Sequence, residues 1–92
     1  HIDRFRWSKL WKTKRSYIRE RDLNLCRICL LNGDYTSYQL EVRHITPLAE
    51  DFEQRLNDDE LITLCRYHHE QAESGKISRE TLRENIPPPI ST

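Results

Sequence analysis

Three cysteines and four histidines are the residues in this 92-residue chain with the most chemistry to offer. Two short segments share one spacing: Cys26-x-x-Cys29 and Cys65-Arg66-Tyr67-His68. Ligands two residues apart, at a turn or a helix start, can reach the same ion. Two such pairs close a tetrahedral Cys₃His site with bond lengths of about 2.0–2.3 Å and no open position, which is the signature of structural zinc. The competing reading makes Cys26 and Cys29 a redox pair and Cys65 a buried thiol. A thioredoxin-like pair needs a βαβ context that this sequence lacks. His69 is an alternative fourth ligand, although the two-residue spacing favours His68.

Apart from His1, which is given no functional weight, His44 and His69 remain outside that set. His69 directly follows His68, so the metal site fixes its direction, and His44 sits beside Arg43 near the end of an expected strand. A neutral imidazole can take a proton from water near pH 7, and a second can hold a divalent ion against a phosphate. A lone histidine is more often a plain surface or core residue. Two of them bordering one metal knot make a catalytic arrangement worth testing.

The elements that must position these residues are legible in outline, and they describe an α+β chain. Ser8 reads as an N-cap for a helix over 8–21, with Trp7, Leu10, Trp11, Tyr17 and Ile18 at helical spacing. Asn32-Gly33-Asp34 is a turn. Alternation from Tyr38 to Ile45 predicts a strand ended by Pro47, and Leu61 to Leu64 predicts a second. Between them, residues 48–59 form an acidic loop with Leu48 and Phe52 turned inward. Arg66 to Ser74 reads as a helix stopped by Gly75, and Ser78 caps a short helix over 79–85. The tail after Asn85, with Pro87-Pro88-Pro89, is expected to be extended. The length suits one domain over 1–92: a basic N-terminal helix (1–24), a zinc-stapled core (25–75), and a C-terminal helix with a Pro-rich tail (76–92).

Size and composition independently call for a staple. With 36% apolar and 33% charged residues and a mean hydropathy of −0.86, the chain has little to bury. At about 25 cal/mol per Å² of buried apolar surface, burial hardly offsets roughly 1.5 kcal/mol of ordering cost per residue. A metal bound only by the folded chain adds its binding free energy to folding. No apolar run approaches the roughly 20 residues that a bilayer span needs. The expectation is a cytoplasmic protein of a bacterial or phage-infected cell, with no membrane partner.

Formal net charge is zero, but it is unevenly spread. Residues 1–21 carry eight basic side chains against Asp3 and Glu20, and the rest of the chain offsets this with thirteen acidic and seven basic residues. Such a split marks either a nucleic-acid-binding face or a solvated helix facing an acidic partner.

Glu41-Val42-Arg43-His44-Ile45-Thr46-Pro47-Leu48, followed by Leu61-Ile62-Thr63-Leu64-Cys65-Arg66-Tyr67-His68-His69, resembles the core of the HNH endonucleases. The small zinc-containing ones, many encoded by tailed phages, are the most similar. The preceding helix and Arg21-Asp22-x-x-x-Cys26-x-x-Cys29 extend the likeness over roughly residues 5–85. It implies a ββα-metal fold and a metal-dependent DNA endonuclease acting in phage DNA processing or packaging, with low sequence specificity and nicks among its products. On this likeness His44 is the general base, His69 a ligand of a catalytic divalent ion such as Mg²⁺ or Mn²⁺, and Cys26, Cys29, Cys65 and His68 the zinc ligands. DNA would lie along the basic helix and the cleft, and phage packaging proteins are candidate partners.

Two positions depart from the family pattern. Where the family usually carries Asp or His as a second ligand of the catalytic ion, this chain has Arg43, which is always cationic and cannot ligate. Where the family usually has the Asn that orients the catalytic histidine, this chain has Glu60, with Asn57 three positions earlier. Glu60 could orient His44 or bind the ion. Glu41, on the same strand face as Arg43, is a further candidate ligand. Arg43 also favours a second reading, a zinc module that binds nucleic acid without cutting it. A third, a protein-interaction module of a phage packaging or assembly complex, would use the acidic half of the surface.

Overall fold

Ser8 starts the longest helix as its residue type predicts: its hydroxyl oxygen accepts from the Trp11 amide at 3.1 Å. In the computed structural model, which describes residues 1–90, the helices are α1 (Ile2–Arg6), α2 (Lys9–Arg21), α3 (Arg27–Leu31), α4 (Arg66–Glu73) and α5 (Arg79–Glu84). Strands β1 (Leu40–His44) and β2 (Leu61–Cys65) pair antiparallel, with Leu40 opposite Cys65 and His44 opposite Leu61. Single 3₁₀ turns at Phe52–Gln54 and Asp58–Glu60 occupy the connection between the strands. The architecture is α+β, a two-stranded sheet clasped by helices, as expected. No helix among the described residues is long and apolar enough to cross a membrane.

The apolar stripe of α2 is narrower than its sequence periodicity predicts. Trp11 and Ile18 are buried, but Trp7 is 77% and Leu10 66% exposed. The reason is α1, a short helix that the sequence reading did not anticipate. It folds back so that Phe5 lies against Trp11, with ring centroids 5.4 Å apart, and takes up the contact surface that Trp7 and Leu10 would need. α3 was also unanticipated. It is little more than one turn and grows from Cys26, whose sulfur accepts from the Cys29 amide at 3.4 Å. β1 starts at Leu40 rather than Tyr38 because Gln39 is left-handed (φ +53°), which breaks the extended run.

β2 is buried along its whole length and divides the core. Leu61 joins Phe5, Trp11, Ile18 and Leu48 on the α1–α2 side. Ile62 and Leu64 join Cys26, Cys29, Ile45, Ala72 and Leu82 on the other side. Leu48 is buried and Phe52 packs against the first cluster, as expected of them. Cys65 ends β2 and is also the N-cap of α4, so strand and helix meet without a loop. Gly75, at φ +79°, turns the chain out of α4 in the left-handed conformation that glycine adopts most readily.

A buried ion pair holds α2 against β2. Arg21 is 5% exposed and Asp22 is fully buried. Arg21 donates to both Asp22 carboxylate oxygens (2.9 and 3.2 Å) and to the carbonyls of Asp58 (2.8 Å) and Leu61 (2.6 Å). Asp22 in turn accepts from the Thr63 amide at 2.8 Å. Arg21 is therefore an internal clamp and does not belong to the basic outer face of the helix. Removing one member leaves the other charged and buried, which typically costs about 3–5 kcal/mol. Asp22→Ala should lower stability by about that amount in urea denaturation at constant metal loading. A loss below about 1 kcal/mol would show that the clamp is dispensable.

Candidate functional site

Two residue groups meet here, one on each side of the β2–α4 junction. The first is the metal centre. The ligand atoms of Cys26, Cys29, Cys65 and His68 lie within 4.8 Å of one another. His68 Nδ1 is 3.5, 3.3 and 3.4 Å from the sulfurs of Cys26, Cys29 and Cys65, and the Cys29 and Cys65 sulfurs are 3.7 Å apart. A tetrahedron with zinc–sulfur bonds of about 2.3 Å and zinc–nitrogen bonds of about 2.0–2.1 Å has edges of about 3.5–3.8 Å. The donor set fits such an ion closely, and none of the cysteines is in a disulfide.

Electrostatics reinforce this fit. Burial pushes the Cys29 thiol up to about 12, so a thiolate there needs a cation beside it. Burial also lowers His68, favouring the neutral imidazole that ligates. Of the two adjacent histidines, only His68 belongs to this cluster. Successive helix residues point about 100° apart, and that turn sends His69 away from the sulfurs.

His69 instead lines a cleft of about 740 Å³ between α1, α2, β1 and α4, together with Trp11, Arg43, His44 and Glu73. His44 reaches it from the end of β1. Its ring stacks on Trp11 (centroids 4.7 Å apart, planes 30° apart) and meets the edge of Phe5. Its Nε2 lies 3.0 Å from the Arg55 carbonyl, which can only accept a hydrogen bond and so favours the tautomer with N–H at Nε2, leaving Nδ1 as the free basic nitrogen. Burial holds His44 below the usual histidine value; the hydrogen bond to the Arg55 carbonyl pulls the other way, and the charges of Arg6 and Arg43 add smaller contributions in the same direction as burial.

Glu60 does not orient His44. Its carboxylate accepts from Arg83 (2.7 and 3.1 Å) and from the Thr46 hydroxyl (2.7 Å), bracing α5 against the chain after β1. The Arg83 guanidinium accordingly holds Glu60 below the usual carboxylate range. Asn57 caps the 3₁₀ turn at Asp58–Glu60. The Arg55 carbonyl therefore does what an orienting side chain would do. A backbone acceptor from a loop carries no residue-type signal, so the sequence offered no way to find it.

Between β1 and α4 stand two acid–base pairs in parallel. Arg43 Nη1 is 3.2 Å from Glu73 Oε1, and its side chain is only 12% exposed. His69 Nδ1 is 3.1 Å from Glu41 Oε2 but out of line for a hydrogen bond. Among the described residues, His69 Nδ1 and Arg43 Nε are buried nitrogens without a hydrogen-bond partner. Imidazole nitrogen and carboxylate oxygen are donors that suit a divalent cation, whereas the Arg43 guanidinium suits only an anion. Glu73 went unnoticed in the sequence, where it is one more acidic residue on a helix. Arg6, Lys12 and Arg15 complete the cationic wall of the cleft.

Comparison with known proteins adds three findings. The family model for HNH endonuclease matches residues 26–75. The crystal structure of the HNH endonuclease of the deep-sea thermophilic bacteriophage GVE2, with manganese ion, superposes with a TM-score of 0.75 at 32% identity, covering 82% of this chain and 80% of that one. No curated protein matches the chain.

The geometry separates the two adjacent histidines by experiment. His68→Ala should lose the bound metal and unfold at a lower temperature, while His69→Ala should retain about one metal ion per chain in elemental analysis. Equal metal content in the two variants would overturn the assignment of the cluster.

Proposed function

The chain belongs to the HNH endonuclease family, nucleases that hydrolyse phosphodiester bonds, and from that footing we propose that it is a metal-dependent DNA endonuclease with His44 as its general base. The observation that carries this reading is the setting of His44: stacked on Trp11, with Nε2 3.0 Å from the Arg55 carbonyl, held by burial below the usual histidine value, and lining a cationic cleft. Cys26, Cys29, Cys65 and His68 hold a structural zinc that fixes the β2–α4 junction.

In this reading the strand runs along the cleft wall, its phosphates seated by Arg6, Lys12 and Arg15. Such contacts position the backbone without reading the bases, so sequence specificity is low. His44 Nδ1 takes the proton of a water aligned against the phosphorus. The resulting hydroxide character drives in-line attack, and the bond to the opposite oxygen breaks. The Trp11 stack holds the ring plane while the proton moves, and burial disfavours the protonated imidazole beforehand. His69 is the cleft residue that would hold the divalent cation, which when bound supplies charge stabilisation on the phosphate and the departing oxygen. Arg43 lies on the same side and can meet a non-bridging phosphate oxygen.

A single His44 on a single chain serves one strand at a time, which favours nicks over double-strand cuts. Likeness to a bacteriophage enzyme supports a role in phage DNA processing; a place in packaging, with packaging proteins as partners, is the narrower form of the same proposal.

With Mg²⁺ or Mn²⁺ present, relaxation of supercoiled plasmid should depend on the protein, stop on adding EDTA, and fall about 10²–10⁴-fold in His44→Ala. DNA binding retained without any metal-dependent nicking would instead identify a non-catalytic nucleic-acid module. Because His44 must be neutral to act and its pKa lies below 6.5, nicking should be on a plateau at pH 7 and decline only at lower pH. An acid limb centred above 7 would contradict that environment. Replacing Lys12 or Arg15 with Ala should flatten the slope of log K against log salt by about 0.9 per lost phosphate contact.

A further inference from the structure

We propose that Glu41 supplies the carboxylate ligand of the divalent cation, and that Glu73 makes this possible by neutralising Arg43. The inference rests on the nuclease reading above and addresses where the ion can bind when Arg43 fills the position expected to ligate it.

Three observations converge. His69 Nδ1 is a buried nitrogen with no hydrogen-bond partner, although a carboxylate oxygen of Glu41 lies only 3.1 Å away. That separation is short enough for one ion to touch both atoms at bond lengths of about 2.0–2.2 Å. Glu41 is half exposed, so its carboxylate has freedom to adjust, whereas His69 is largely enclosed. Finally, Arg43, two residues along the same strand face, is turned to Glu73 at 3.2 Å and so already has its own counter-charge.

The layout follows from periodicity. Glu41 and Arg43 are two residues apart on β1 and share one face, while His69 and Glu73 are four apart on α4 and share one side. The strand thus presents acid then base, and the helix base then acid. Each residue on one element finds its opposite on the other. One imidazole and one carboxylate leave most of the ion's coordination to water and phosphate oxygens, as is usual for Mg²⁺-type sites acting on phosphates.

The test is Mn²⁺ binding to the zinc-loaded full chain, followed by loss of the free-ion electron paramagnetic resonance signal and by calorimetry without DNA. Wild type should bind about one Mn²⁺ beyond its zinc. Glu41→Gln should weaken Mn²⁺ binding by about tenfold or more, with Glu41→Asp recovering part of it, while zinc content and circular dichroism stay unchanged. Glu73→Gln should weaken binding by a smaller factor, because it frees the Arg43 charge. Arg43→Ala should restore binding in the Glu73→Gln background. Wild-type Mn²⁺ affinity in Glu41→Gln would overturn the proposal while leaving the nuclease reading intact, provided the variant still nicks plasmid. No Mn²⁺ binding by wild type, together with no nicking, would overturn both.

Discussion

Four ligand atoms at the end of β2 constrain almost everything else in this molecule. Cys65 is at once the last strand residue, the N-cap of α4 and a member of the Cys₃His cluster. Fixing its position fixes where α4 begins and hence which way each helix residue points. His68 closes the cluster, and His69, one residue on, turns toward the cleft. Because β1 pairs with β2 in a defined register, the same anchor determines where Glu41, Arg43 and His44 stand. A small chain with an 8-residue α4 and 5-residue strands could not hold such geometry by apolar packing alone.

Charge is organised as strictly as packing. Five acidic residues after the basic first segment are paired with basic side chains: Asp22 with Arg21, Asp58 with Lys14, Glu60 with Arg83, Glu50 with Arg79 and Glu73 with Arg43. Arg6, Lys12 and Arg15 are left along the cleft. A net charge of zero therefore coexists with a cluster of cationic side chains along the cleft. The pairs differ in weight. Arg21–Asp22 is fully buried and hydrogen-bonded to three backbone groups, so it specifies the fold. Arg79–Glu50 is exposed at both ends, contributes little, and is screened by salt.

His44 shows how one environment can serve both fold and chemistry. Trp11 and Phe5 are core residues, and their burial stabilises the α1–α2 side of the domain. The same rings desolvate His44 and disfavour its charged form, which suits a base that must be unprotonated near neutral pH. The short helix α1 contributes Phe5 to this wall, so a segment without an evident signal in the sequence shapes the surroundings of His44.

What the sequence determined was local. Cys26-x-x-Cys29 and Cys65-x-x-His68 are legible because ligand reach over three residues depends only on nearby backbone geometry. The Ser8 and Ser78 caps, the turn at Gly33 and the alternation of β1 are short-range in the same way. Tertiary structure decided the rest, because each remaining feature joins groups distant in sequence. The Arg55 carbonyl reaches His44 across 11 positions, and Asp22 reaches the Thr63 amide across 41. Glu60 looked like an orienting group from its place before β2, but a bidentate guanidinium from α5 holds it instead. Arg43 looked like a lost ligand or a phosphate contact, and nothing in the sequence pointed to Glu73, which the fold sets beside it. Residue type states what a side chain can do, and only the fold brings it to the partner that determines what it does.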